Sequence, residues 1–327
     1  MPLIRFLRIL VWLACLAGFG VWIYWSFLIP PGVGPDFVSQ GEYLNVDGTQ
    51  VHFLEKGIGP TVVLLSGFPL NAESYARLME YPWQNRRVIA LDLPEQGYSE
   101  KKGRPLTPDD LALTLKLFLD KLEIQDVDLV GHDLGAGVAM VFAASYPHRV
   151  RKVVLLAPPL NGLATDTLGP WWRWPGVGEL WSFLFLNQAW YRQWLIRGWT
   201  SPYSSWQPVV EQYFRPLSTF NGRRGFLAVL RGCGGFAYGF YQERLKVPTL
   251  AIRGEHDPFC LPGPLQRMQA AVPQVTVKTL PQVGHFLPEE APRQTYENIK
   301  AFLEMSRSLE NAMPSVVPTP LPVLKRN

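Results

Sequence analysis

A chain of 327 residues is long enough for one large α/β domain with an insertion, or for two smaller domains, and ample for a buried core. Its net charge of +4 comes without a long Lys/Arg run, so it has no basic face for nucleic acid; Lys101-Lys102-Gly103-Arg104 and Arg223-Arg224 read as solvated surface. A hydrophobic fraction of 47% with 12 Trp and 18 Phe points to membrane contact or a large apolar pocket, while Cys15, Cys233 and Cys260 form neither a metal-ligand spacing nor a disulfide framework.

The first predicted element is a membrane anchor. Ile9 to Ile29 are 21 residues without a charge, about 31 Å as a helix, close to the ~30 Å hydrocarbon core. Arg5 and Arg8 precede the run and Asp36 and Glu42 follow it, which places the N-terminus in the cytoplasm. Trp12 at one end, and Trp22, Tyr24 and Trp25 at the other, suit the interfacial belts. The run exceeds the roughly 7–15 residues of a leader's apolar region and no A-x-A site follows it, so an uncleaved anchor is expected. Pro30 to Gly34 is a linker, and anchor plus linker occupy residues 1–34.

Beyond the linker, Glu42 to Val46 and Thr49 to Glu55 flank Asp47-Gly48 and predict a hairpin. Thr61 to Leu65 is a continuous β-branched and apolar run, the mark of a strand buried on both faces; Arg87 to Leu91 reads as another buried strand, with a helix expected between them from Asn71 to about Met79. Thr107-Pro108-Asp109-Asp110 supplies an N-cap, a proline at the first helical position and two acids in the first turn of a helix expected to reach Leu122. Then come a strand from Val127 to Val130, a helix from Leu134 to about Tyr146, and a strand from Lys152 to Leu156. This alternation predicts a mostly parallel sheet covered on both faces. It breaks between residues 158 and 243, where eight of the 12 Trp fall, and this stretch is expected to be a helical lid. It resumes with a strand from Val247 to Ile252, a helix from about Pro264 to Ala271, a strand from Val275 to Leu280 and a helix from about Arg293 to Met305. The core is thus assigned to residues 35–157 and 244–305. Residues 306–327, with four prolines and no apolar period, form an expected disordered tail.

The stretch richest in chemistry is Gly131-His132-Asp133-Leu134-Gly135. An acid sits where a strand turns sharply into a helix, with glycine two residues to each side because such a corner admits no bulk beneath it. Asp133 is expected to stand exposed at the tip. Three more short motifs end predicted strands: Ser66-Gly67-Phe68-Pro69, Gly254-Glu255-His256-Asp257 and Gly284-His285-Phe286. Either Glu255 or Asp257 could end its strand as the functional acid. His132 and His256 are expected to point away from the site, and no histidines here form a metal pattern.

These four motifs, in this order, resemble the α/β-hydrolase family from about residue 42 to residue 305, with the elbow G-x-S-x-G carrying Asp in place of Ser. The Asp-nucleophile branch, epoxide hydrolases and haloalkane dehalogenases, is the similar one. The resemblance implies an α/β-hydrolase fold, with a mostly parallel sheet, helices on both faces and an inserted helical lid. It also implies that Asp133 attacks carbon to form an enzyme ester, that His285 activates the water that hydrolyses it, that Asp257 orients His285, and that backbone N–H groups of Phe68 and Leu134 form the oxyanion hole. No cofactor is implied, and the partner is a small apolar substrate. Phe68-Pro69 looks like the epoxide hydrolase form of the oxyanion loop. Epoxide opening would draw its proton from lid tyrosines, the candidates being Tyr191, Tyr203, Tyr213, Tyr238 and Tyr241, whereas halide binding would need Trp171, Trp172 or Trp181. The chain departs from the pattern at Ser66, where most relatives have His, and at Glu95-Gln96 in place of a common Gly-His; both positions help shape the oxyanion loop in the family. These departures motivate the alternative of a non-catalytic binding protein. Ordinary ester hydrolysis is disfavoured, since acylating an Asp would give an anhydride.

Overall fold

The computed structural model of the protein describes residues 2–23, 40–163, 169–200 and 207–305. Its apolar runs form one sheet from β1 (Glu42–Val46), β2 (Thr49–Lys56), β3 (Thr61–Leu65), β4 (Arg87–Leu91), β5 (Val127–His132), β6 (Val150–Leu156), β7 (Thr249–Gly254) and β8 (Val275–Leu280). The order is β1-β2-β4-β3-β5-β6-β7-β8. The first hairpin and its junction with β4 are antiparallel and every later pairing is parallel. Asp47 and Gly48 turn the hairpin with φ of 48° and 76°, the positive pair that a tight two-residue turn requires. Every residue of β3, β5 and β7 is buried, as expected for strands covered on both faces.

The α-helices, in chain order, are α1 (Pro2–Ile23), α2 (Ala76–Met79), α3 (Pro108–Lys121), α4 (Leu134–Ser145), α5 (Val177–Phe185), α6 (Gln188–Gly198), α7 (Gln207–Phe214), α8 (Phe220–Cys233), α9 (Gly239–Gln242), α10 (Pro262–Ala271), α11 (Leu287–Glu290) and α12 (Pro292–Glu304). At the head of α3 the Thr107 side chain accepts from the Asp110 N–H while the Asp110 carboxylate accepts from the Thr107 N–H, which completes a capping box. The helix expected from Asn71 is instead a 3₁₀ turn, Ala72–Tyr75, followed by the single turn of α2. The reason is local: Asn71 caps the Glu73 N–H at 3.0 Å and the Ala72 N–H is drawn to Asp92 at 2.7 Å. Helices α5 to α9 all lie between β6 and β7, above the sheet's carboxyl edge.

Helix α1 begins before the uncharged run and takes in Arg5 and Arg8. Its Ile4–Val21 stretch has a mean hydropathy of 1.9 over 18 residues, and it is the one helix among the described residues long and apolar enough to cross a membrane. The linker, Tyr24, Trp25, the Trp22 side chain and the tail after Met305 lie outside the described residues.

Candidate active site

Strand β5 ends at His132 and the chain turns at Asp133 with φ 47° and ψ −118°. For a residue other than glycine this backbone costs on the order of 1–3 kcal/mol. Two hydrogen bonds hold it there, from the Asp133 N–H to the Leu156 carbonyl (2.9 Å) and from the Gly137 N–H to the Asp133 carbonyl (3.0 Å). The flanking glycines are required by close approach, since a Cβ on Gly135 would sit 2.1 Å from the Leu65 carbonyl oxygen and one on Gly131 2.3 Å from that of Gly135. Asp133 makes no side-chain cap bond to α4, so it is not a helix-capping acid. Nor is it exposed: it is 7% accessible, because the lid closes over the tip.

The carboxylate divides its contacts. Oδ2 accepts from the Phe68 N–H at 3.1 Å, and the Leu134 N–H adds to the hold, while Oδ1 lies 3.9 Å from His285 Nε2. The imidazole is aimed by its other nitrogen, with Nδ1–H donating to Asp257 Oδ2 at 3.0 Å. Asp257 Oδ1 accepts from the Phe259 and Cys260 N–H groups at 2.8 and 3.0 Å. Of the two acids that follow β7, Asp257 is the one that meets His285, whereas Glu255 is exposed and accepts from the Gln282 N–H.

Charge and burial compete here. Burial raises the Asp133 carboxyl above its ordinary range, against the pull of His285 and of the Leu134 and Phe68 N–H groups. Burial alone would favour neutral His285, but the charge and hydrogen bond of Asp257, then the charges of Asp133 and Glu290, outweigh it and lift the imidazole above its usual value. Burial also works against ionised Asp257, yet His285 and the Cys260 and Phe259 N–H groups bring it down to about 2. Asp257 is therefore ionised throughout the neutral range.

Above Asp133 lies a narrow cavity of about 20 Å³, lined by Phe68, Pro69, Phe259 and His285 from the core and by Leu163, Trp190, Trp194, Phe226 and Leu230 from the lid. That volume is near the smallest that holds one water, so a substrate enters only as the aromatic walls shift. None of the described residues among those expected from the lid lines this cavity. The Tyr191 hydroxyl donates to the Pro69 carbonyl at 3.2 Å, Tyr213 bonds Glu289, Tyr241 bonds Asp109, and Tyr238 packs beneath Gly137. Tyr203 lies outside the described residues. Trp171 is exposed, Trp172 is buried away from the cavity, and Trp181 stands behind Trp190 at 5.6 Å. The tryptophans that reach the cavity are Trp190 and Trp194, which the sequence did not single out because the lid has no period from which to read an inward face.

His132 does not point away. Its ring lies 4.9 Å from that of His285 and its Nε2–H donates to the His285 carbonyl at 2.9 Å. Burial, then the charge of His285, pushes it down to about 3, so it stays neutral. Glu290 is a second residue missed: its carboxylate accepts from the N–H groups of Gly284 (3.1 Å), Phe286 (3.0 Å) and Thr200 (2.8 Å), bracing the His285 loop against the end of α6. Its signal was present in Leu287-Pro288-Glu289-Glu290, a proline followed by acids in the first turn of a short helix. Ser66 is buried with its hydroxyl unpartnered. Glu95 serves the neighbouring turn and not the oxyanion loop, accepting from the N–H groups of Lys102, Gly103 and Arg104.

Comparison with known proteins bears on the family of the chain. A family model described as alpha/beta hydrolase fold matches residues 60–292. The uncharacterized hydrolase YugF of Bacillus subtilis is 26% identical over 285 residues, 82% of this chain and 99% of that protein. Bifunctional epoxide hydrolase 2 of Sus scrofa is 33% identical over 137 residues, 40% of this chain and 24% of that protein. A haloalkane dehalogenase of Agrobacterium fabrum is 27% identical over 191 residues, 55% of this chain and 60% of that protein.

Proposed function

The chain belongs to the α/β-hydrolase fold family, and from that premise we propose that it hydrolyses small apolar substrates through a covalent ester on Asp133, with epoxides as the leading class. The divided Asp133 carboxylate carries this reading. A serine nucleophile needs an oxyanion hole for the substrate's carbonyl oxygen, but here the hole holds the nucleophile's own Oδ2. Attack by Oδ1 on carbon makes an ester whose carbonyl oxygen, Oδ2, already accepts from the Phe68 N–H.

The steps follow from the charges. Oδ1 forms a bond to an epoxide carbon, the ring C–O bond breaks, and its electron pair stays on oxygen as an alkoxide. Among the described residues, His285 is the titratable side chain besides Asp133 that lines the cavity, and being held toward its protonated form it gives that proton to the alkoxide. His285 is then neutral, and the charge of Asp133, one of the influences that raised it, is gone. It takes a proton from water, the hydroxide attacks Cγ, and negative charge collects on Oδ2 in the hole. Collapse expels the alkoxide that carries Oδ1, which takes the proton of the newly formed carboxylic acid, leaving the diol, the carboxylate and the imidazolium. The 3.9 Å between Nε2 and Oδ1 is too long for a hydrogen bond, which leaves the imidazole free to engage water and substrate.

A haloalkane is the second reading, and one observation favours it: the only side-chain polar groups among the described lid residues lining the cavity are the indole N–H groups of Trp190 and Trp194. An indole solvates a departing halide but has no proton to give an alkoxide. The similarity to the Sus scrofa epoxide hydrolase, and the Phe68-Pro69 pair, support the epoxide. We further propose that α1 anchors the enzyme by a single pass with its N-terminus in the cytoplasm, supported by the hydropathy of Ile4–Val21 and by Arg5 and Arg8.

One turnover with excess enzyme in ¹⁸O-water tests the mechanism. The ester route puts ¹⁸O into the Asp133 carboxylate and ordinary oxygen into the first product. Label found directly in that product contradicts it, and no turnover of any epoxide or haloalkane in a broad panel favours a binding protein.

A further inference from the structure

The outer face of the lid is unlike the rest of the surface. Elsewhere the large exposed apolar side chains of the globular part, such as Ile58, Leu113 and Leu261, stand singly. On the lid, Trp171, Trp174, Val177, Phe183, Leu184 and Phe185 follow one another within fifteen residues and are each 39–53% exposed. The one acid in that segment, Glu179, is buried and paired with Arg231 at 2.6 Å. Arg173, over the ring of Trp172 at 5.0 Å, and Arg223, over that of Phe183 at 5.8 Å, place cations beside the patch. A patch of this kind, rimmed by cations and opposed by no exposed acid of its own, has the chemistry of a surface that meets lipid headgroups and the acyl chains below them.

Its position says what covers it. Helix α1 touches the lid where α5 begins: Gly18 is buried against Gly176, and a Cβ on Gly18 would lie 3.1 Å from the Gly176 carbonyl oxygen. Gly18 lies three residues short of the C-terminal end of the apolar Ile4–Val21 stretch, so the lid meets α1 at the end of that stretch away from Arg5 and Arg8. We infer that the aromatic outer face of the lid seats in the interfacial layer of the same bilayer that α1 crosses, so that the active-site cavity is approached from lipid. Trp171 and Trp174 take the headgroup level where Trp is favoured, and the Phe183-Leu184-Phe185 end of α5 enters the acyl boundary. Only two ring contacts separate that end from the cavity: Phe185 lies 6.3 Å from Trp181, and Trp181 lies 5.6 Å from Trp190, a cavity wall. Apolar substrates concentrated in the bilayer therefore reach Asp133 without crossing water.

The inference rests on α1 being a membrane span, and the experiment separates the two. The full chain is placed in vesicles of phosphatidylcholine and phosphatidylglycerol with a nitroxide at one of three sites: Cys15, the exposed native thiol of α1; Leu184→Cys in a Cys15→Ser background; or Arg293→Cys, on α12, in the same background. Cys233 and Cys260 are buried and stay unlabelled. Relaxation by oxygen, which concentrates in the bilayer, is compared with relaxation by a water-soluble nickel chelate. The expected result is a several-fold preference for oxygen at both Cys15 and Leu184→Cys, and the reverse at Arg293→Cys. Leu184→Cys in water with Cys15 in lipid overturns the seated lid and leaves the span standing. Both in water removes the span and the seated lid together. Spin–spin broadening at Leu184→Cys means that a second copy covers the patch, and also overturns the proposal.

Discussion

The carboxyl edge of the sheet and the lid above it meet at one cavity but are specified in different ways. Asp133, Asp257 and His285 are placed by backbone: a strand end, a glycine-flanked corner, two N–H groups from the Asp257 loop, and the Glu290 brace. Trp190, Trp194, Phe226 and Leu230 are placed by packing against other side chains, as in the edge-to-face contact of Trp190 with Phe226 at 6.1 Å. The difference teaches where to look for each property. In the proposed reaction, bond-making belongs to the glycine-flanked corner and the choice of substrate to the aromatic walls around it.

The contrast can be broken or sharpened by substitution. Asp133→Asn removes the nucleophile while keeping its shape, and turnover of every substrate should fall by about 10⁴-fold or more, measured as initial rates across a panel. A drop confined to some substrates would mean that the corner sets selectivity as well. Next in size is the pH response of ester breakdown. It requires neutral His285, so its rate should fall about tenfold for each pH unit below the imidazole pKa in the ester form. Because the Glu290 charge helps raise His285, Glu290→Gln should move that limb to lower pH, while a purely structural role for Glu290 would change the rate and leave the limb in place. Trp190→Phe and Trp194→Phe keep an aromatic wall but lose an indole N–H. Each should shift relative kcat/KM between haloalkanes and epoxides by about tenfold or less, since one hydrogen bond is worth roughly 0.5–1.5 kcal/mol. Equal losses on both substrate classes would deny the lid its selecting role. The smallest effect is Thr107→Ala, which removes the α3 cap far from either region; it should cost about 1 kcal/mol in denaturant unfolding and leave the substrate profile unchanged.

The same division explains what could be read from the amino acids. Strands β3, β4 and β8 fall on the expected residues because continuous apolar or β-branched runs bounded by turns are local signals. The corner at Asp133 was legible from Gly131 and Gly135, whose need for space the structure makes explicit. What was not legible depends on contacts distant in the chain. Tyr191 was a candidate proton donor but supports Pro69 from behind, 122 residues away in sequence, and His132 turned out to bear on the His285 backbone 153 residues on. The exposed tip expected at Asp133 fails for the same reason, because only the folded lid covers it. Nothing local in an aromatic-rich insertion says which rings face inward.

In the proposed mechanism Asp133 becomes esterified and His285 is needed to clear the ester. The direct measurement is mass spectrometry of the elbow peptide from a His285→Gln variant incubated with epoxides and with haloalkanes. The expected result is an added substrate mass on the peptide containing Asp133, accumulating because attack by Oδ1 outpaces a hydrolysis that has lost its base, with the adduct showing which class is accepted. An unmodified peptide from a variant that still binds substrate, paired with a wild type that turns the same compound over, would contradict it.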